Sequence, residues 1–255
     1  MKSLITYINE KLILNKNTKP RKYNYFPKTK EELKEIIQDR IEKEGPECNL
    51  NDIDTSEITD MSELFAGLKK FNGDISNWDV SNVKYMTEMF ANCLKFNQDI
   101  SNWDVSNVTN MTGMFQRCES FNQDISKWNV SNVRTMKSMF FSCAKFNSDI
   151  SKWDVSNVTN MKEMFKYCPS FNQPLNNWNV SNVVDMEEMF KYCESFNQPL
   201  NNWNVYNVTN MSDMFYRCEK FNQDISNWDV FRVNGPFYSI FYNCPIEDKY
   251  KPNFY

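Results

Sequence analysis

Apolar residues in this chain recur on a fixed lattice. From Phe71 the pattern F-N-x-x-[IL]-x-x-W-[DN]-V-x-N-V-x-x-M-x-x-M-F-x-x-C-x-x repeats every 25 residues, with complete copies at 71–95, 96–120, 121–145, 146–170, 171–195 and 196–220. A seventh copy, 221–245, carries one inserted residue near Asn234, Gly235 and Pro236 and replaces its methionines with Phe237 and Ile240. Ahead of them, Leu50, Ile53, Thr55, Ile58, Met61, Leu64, Phe65 and Leu68 hold the equivalent places of an incomplete copy. Within a copy, Trp78 and Val80 flank polar Asp79, the alternation of a half-buried strand. Met86, Met89, Phe90 and Cys93 follow at spacings of three, one and three, which predicts one face of a short helix. One strand and one helical turn cannot bury an apolar face alone. A fixed period of this length therefore predicts copies stacked into a solenoid.

A stack needs covers at both ends. Thr29 and Glu32 have capping-box spacing, and Leu33, Ile36, Ile37 and Ile41 form an apolar stripe before Gly45, which predicts a helix over 29–44. At the other end Phe231, Phe237, Tyr238, Phe241, Tyr242, Ile246, Tyr250, Phe254 and Tyr255 are expected to form an aromatic lid. The organisation expected is a basic arm with a short amphipathic helix at 1–28, then a capping helix and incomplete first repeat at 29–70. Six complete repeats at 71–220 follow, then a degenerate last repeat and aromatic cap at 221–255.

The strand half of each copy also fits L-x-x-L-x-L-x-x-[NV], as at Ile75, Trp78, Val80 and Val83. The run D-I-S-N-W-D-V-S-N-V-T-N-M-x-x-M-F resembles the 25-residue repeat of the BspA-type leucine-rich-repeat surface protein family, over about 50–245. That resemblance implies a non-enzymatic α/β fold: a leucine-rich-repeat solenoid with a parallel strand face, short helices on the convex face and a helical N-terminal cap. It implies attachment or recognition at bacterial surfaces and, in some members, a place in phage proteins. The surface members' signal peptide, lipid-attachment cysteine and wall anchor have no counterpart in this sequence. The start, MKSLITYINEKLILNKNTK, lacks a cleavage site, and no run is apolar enough to span a membrane. An intracellular or virion-associated location is expected rather than conventional export.

Composition narrows the chemistry. The chain of 255 residues has no histidine, which removes the commonest general base and metal ligand. A net charge of −4 argues against nucleic acid as the main ligand. Cys93, Cys118, Cys143, Cys168, Cys193 and Cys218 form a column rather than pairs. On neighbouring helices roughly 8–10 Å apart they would lie too far apart for a disulfide, so reduced, buried thiols are expected. Asp79, Asp104, Asp154 and Asp229 share a column with Asn129, Asn179 and Asn204, while Asp74, Asp99, Asp124, Asp149 and Asp224 share one with Pro174 and Pro199. Carboxylates so freely replaced serve turns better than they serve a metal. Asn72 and its equivalents in each copy predict an asparagine ladder that satisfies backbone groups at a bend. No catalytic residue, cofactor or metal site is expected.

Variation among copies is the remaining signal. The positions after the conserved Met-Phe read Ala91, Gln116, Phe141, Lys166, Lys191, Tyr216 and then Asn92, Arg117, Ser142, Tyr167, Tyr192, Arg217. Tyrosine and arginine anchor interfaces, so Phe141, Tyr167, Tyr192, Tyr216 and Arg217 are the candidate partner-binding residues, for a protein or a surface glycan. At the N-terminus, Leu4, Ile5, Ile8 and Leu12 form an apolar stripe, followed by a basic stretch that includes Arg21 and Lys22. That segment resembles short N-terminal stretches on proteins of large tailed bacteriophages. The alternative expectation is a particle component docked by this arm.

Overall fold

The computed structural model describes residues 23–235 and 237–254. Leu4, Ile5, Ile8, Leu12, Arg21, Lys22 and Tyr255 lie outside the described residues. Successive copies lie over one another in register. Parallel bridges join Asp60 to Tyr85, Tyr85 to Asn110, Asn110 to Thr135, and so on to Asn210, each residue lying over its equivalent in the next copy. Both buried phenylalanine columns run the length of the stack. Their rings lie 5.8–6.1 Å apart from Phe71 to Phe221 and 5.2–5.8 Å apart from Phe65 to Phe215. Tryptophan, valine, methionine and cysteine columns complete one continuous core.

The leucine-rich-repeat solenoid with a parallel strand face is not what these coils form. Among the described residues there is no sheet and no strand longer than an isolated bridge. Trp78-Asp79-Val80 is irregular backbone between two turns, closed by Trp78 N–H to Ile75 O and Val83 N–H to Val80 O. Side chains tie the copies together there instead. Each indole Nε1 donates to a carbonyl of the preceding copy at 2.8–3.2 Å, from Trp78 on Leu50 to Trp228 on Leu200. Asn82 Nδ2 does the same to Ser56 O at 2.8 Å, and its equivalents repeat it through Asn207.

Nor do short helices form on the opposite side. Met86, Glu88, Phe90 and Asn92 donate their N–H groups to the next copy, while Met89, Ala91 and Cys93 donate back three residues in tight turns. Glu88 and Asn92 hold left-handed backbone angles, φ 52° and 63°, which no right-handed helix contains. The reason is spacing. Packed helices need roughly 8–10 Å between axes, and coils whose equivalent rings lie about 6 Å apart leave no room for them in register.

Among the described residues, helix is confined to α1, Lys30–Glu44, and two 3-10 turns, Phe237–Ser239 and Asp248–Tyr250. The Thr29 side chain accepts from Glu32 N–H, and Gly45 ends the helix at φ 92° with its N–H on Ile41 O. Leu33 and Ile37 are fully buried against the first coil. Arg40 ties the cap down by donating to Glu44, Asp52 and the Asn49 carbonyl. At the far end Phe237, Phe241, Ile246, Tyr250 and Phe254 pack against the core, whereas Phe231, Tyr238 and Tyr242 are exposed and belong to no lid.

Candidate functional site

The polar columns resolve first, and as structure. Asn97 N–H donates to Asn72 Oδ1 at 2.9 Å, and the ladder continues copy by copy to Asn222 N–H on Asn197 Oδ1. Glu247 N–H takes the last rung, on Asn222 Oδ1. Asp74, Asp99, Asp124, Asp149 and Asp224 each accept from the N–H two residues on. Asp79, Asp104, Asp154 and Asp229 do the same, and Asn129, Asn179 and Asn204 make the identical bond in their place. Those turn bonds hold several of the carboxyls below their ordinary range: Ser101 N–H and hydroxyl act on Asp99, Ser151 on Asp149. Among the described residues no group of three or more Cys, Asp or Glu side chains is arranged to hold a metal.

All eight cysteines are free. Helix spacing is not what keeps the thiols apart, since no helices lie there. Cys93, Cys118, Cys143, Cys168, Cys193 and Cys218 each turn Sγ onto a phenylalanine carbonyl of the preceding copy at 2.9–3.0 Å. Burial pushes Cys93 and Cys168 up to about 12, so these thiols are not nucleophiles at neutral pH.

The variable positions behave differently, because they converge. Each pair follows a buried phenylalanine, and the second residue of each pair has positive φ: Asn92, Arg117, Ser142, Tyr167, Tyr192, Arg217 and Asn243. Phe141 meets Tyr167 edge-on at 5.7 Å, and Tyr167 stacks on Tyr192 at 4.7 Å. Tyr192 tilts against Tyr216 at 5.6 Å, and Tyr216 stacks on Tyr242 at 4.9 Å. Exposed Arg217 places its guanidinium 5.6 Å from the Tyr192 ring. All five residues singled out by their variation are therefore in one row.

A line of charge runs beneath the rings. Ser138 Oγ donates to Glu163, Lys166 bridges Glu163 and Glu188, and Lys191 bridges Glu188 and Asp213. Lys166 lies 5.4 Å from the Phe141 ring and Lys191 4.8 Å from that of Tyr216. Burial disfavours the charge on Glu188, but the hydrogen bonds it accepts from Lys166 and Lys191 outweigh it and bring the carboxyl down to about 2. The same pairs hold both lysines above their ordinary range despite burial.

Sequence reasoning missed Tyr242 because the insertion near Asn234 moves it one place out of register, where it reads as lid. It also read Lys166 and Lys191 as variable positions without selecting them, and passed over Glu163, Glu188 and Asp213. Their signal was present, as opposite charges at spacings of 3 and 22 residues. A second, smaller departure sits in the serine column at Tyr206 and Phe231, where Arg232 lies 4.6 Å from the Tyr206 ring.

A protein-family model described as "Mycoplasma protein of unknown function, DUF285" matches residues 32–151 and again 134–251. No curated protein and no solved structure matches the chain. No helix among the described residues is long and apolar enough to cross a membrane.

Proposed function

The chain belongs to this family of Mycoplasma proteins of unknown function, and we propose that it is a non-catalytic scaffold holding another protein against the row Phe141–Tyr167–Tyr192–Tyr216–Tyr242. The observation behind this reading is the row itself, contiguous across five copies. A solvated face that had merely drifted would not place five rings in contact. Two of its members also sit where the backbone is costly for them. A left-handed angle costs a side-chain-bearing residue roughly 1–2 kcal/mol, and Asn or Gly, found at this position in Gly67, Asn92 and Asn243, carries it more easily. Tyr167 and Tyr192 hold it at φ 60°.

The arrangement favours a protein over a glycan. Sugars stack on open ring faces, whereas Tyr167 on Tyr192 and Tyr216 on Tyr242 turn their faces to each other. What remains outward is a line of edges and hydroxyls flanked by Arg217, the mixed apolar and polar surface that protein interfaces use. The resemblance to BspA-type repeats supports recognition in the same sense. The alternative of a phage-particle component docked by the N-terminal arm has no observation among the described residues behind it.

The test is comparative capture. Chain with Tyr167→Ser, Tyr192→Ser and Tyr216→Ser together is set beside the unaltered chain and a Tyr85→Ser control, with unchanged circular dichroism required of each. A partner held by the unaltered chain and the control should bind the triple variant roughly tenfold or more weakly. Equal binding by all three would remove the row from the function.

A further inference from the structure

The chain contains two Asn–Gly pairs, Asn72–Gly73 and Asn234–Gly235, and the fold treats them differently. Asn–Gly is the dipeptide most open to succinimide formation, since glycine leaves its own nitrogen unshielded. Chemically the two pairs are equivalent. In the structure Asn72 is held at three polar groups: its N–H donates to Pro46 O at 2.8 Å, its carbonyl accepts from Gln98 Nε2 at 2.8 Å, and its Oδ1 accepts from Asn97 N–H at 2.9 Å. Gly73 is buried so closely that an added Cβ would lie 2.6 Å from the Cys48 carbonyl oxygen. The Asn72 Cγ cannot swing onto the Gly73 nitrogen without breaking a ladder rung.

Asn234 and Gly235 are both exposed, in the insertion that breaks the seventh copy. The Asn234 N–H bonds Thr209 O at 2.9 Å, but its side-chain amide makes no hydrogen bond among the described residues. Gly235 stands at φ 122°, backbone that side-chain-bearing residues avoid, and an added Cβ would make only an ordinary contact, 3.4 Å from the Ser212 hydroxyl. We propose that Asn234 is the deamidation site of this protein and that the asparagine ladder protects Asn72 from the same reaction.

The chemistry needs only water. The Gly235 nitrogen gives up its proton to solvent base and attacks Asn234 Cγ. The N–Cγ bond forms, the Cγ–Nδ2 bond breaks, and ammonia leaves. Water then opens the imide at Cγ to give aspartate, or at the main-chain carbonyl to give isoaspartate. Either product adds a negative charge near Ser212, whose hydroxyl lies 3.4 Å from where a Cβ on Gly235 would stand. Isoaspartate also lengthens the main chain just ahead of Phe237 and Ile240, which close the core.

The experiment ages the full chain in mildly alkaline buffer and follows both asparagines by peptide mapping, once folded and once in concentrated denaturant. Asn234 should convert roughly tenfold or more faster than Asn72 in the folded chain, as expected when one site reacts only through local opening. The two rates should come together in the unfolded chain. Comparable conversion at Asn72 in the folded chain, or an Asn234 that stays amide, would overturn the assignment. So would a rate difference that survived unfolding.

Discussion

Glu188 shows how much of this molecule is settled at single residues. It holds a left-handed angle of φ 56° and accepts from two lysines that belong to different copies. Its carboxyl, ordinarily near 4.5, is brought down to about 2. A folded-state pKa below the unfolded one contributes stability above the unfolded value and loses it as pH falls through the folded value. Glu188→Gln should therefore cost about 1 kcal/mol at neutral pH, and the gap from the unaltered chain should close between pH 4.5 and about 2. Urea midpoints measured across that range check it. A gap that persists undiminished at the acid end would assign the loss to packing rather than charge. The rings above are a separate balance: Tyr167 and Tyr192 share three ring contacts, each contributing about 0.5–1.5 kcal/mol, the same order as what two left-handed tyrosines cost.

At the scale of one coil, the run Met86–Cys93 divides its N–H groups between the next copy and its own turns. From Phe96 onward the bend after each phenylalanine has no such backbone solution, and asparagine supplies the acceptor. Asn122 is a representative rung: its Oδ1 accepts from Asn147 N–H at 2.8 Å and from Ser148 Oγ at 3.2 Å. Asn122→Ala takes the acceptor from that N–H, which lies where water reaches it, and should cost about 0.5–1.5 kcal/mol. Asn122→Asp keeps an acceptor oxygen and should cost less. Denaturant midpoints of the two variants decide the matter, and equal losses would mean that the side chain matters for something other than accepting.

For the whole molecule, copies that contact only their neighbours make stability additive along the stack. Removing Phe121–Lys145 should leave a folded chain, because Asn147 N–H then finds Asn97 Oδ1 and every column closes on the residue type it had. The denaturant slope should fall with the smaller buried surface. A deletion of half a copy should unfold the chain by setting polar positions against the core. Circular dichroism and urea titration distinguish these outcomes; a half-copy deletion that folds as well as the full one would argue against strict register.

The period, the inward columns, the Asx turns, the asparagine ladder and the α1 cap were all legible in the sequence. They depend on local chemistry or on a residue meeting its own equivalent, and repetition makes both visible. The shape of the coil was not. Met-x-x-Met-Phe-x-x-Cys spacing fits a helix face and a run of turns equally well, and Trp-Asp-Val alternation fits a strand that never pairs. The distance between neighbouring coils chooses between these, and that distance is set by how aromatic rings pack across copies. The same holds for the row of rings. Phe141, Tyr167, Tyr192 and Tyr216 were picked out by their variation and Tyr242 was not, and the contacts of all five depend on which neighbouring columns face each other. Sequence likewise gives two equivalent Asn–Gly pairs, and only the tertiary structure separates the one locked in a ladder from the one left in solvent.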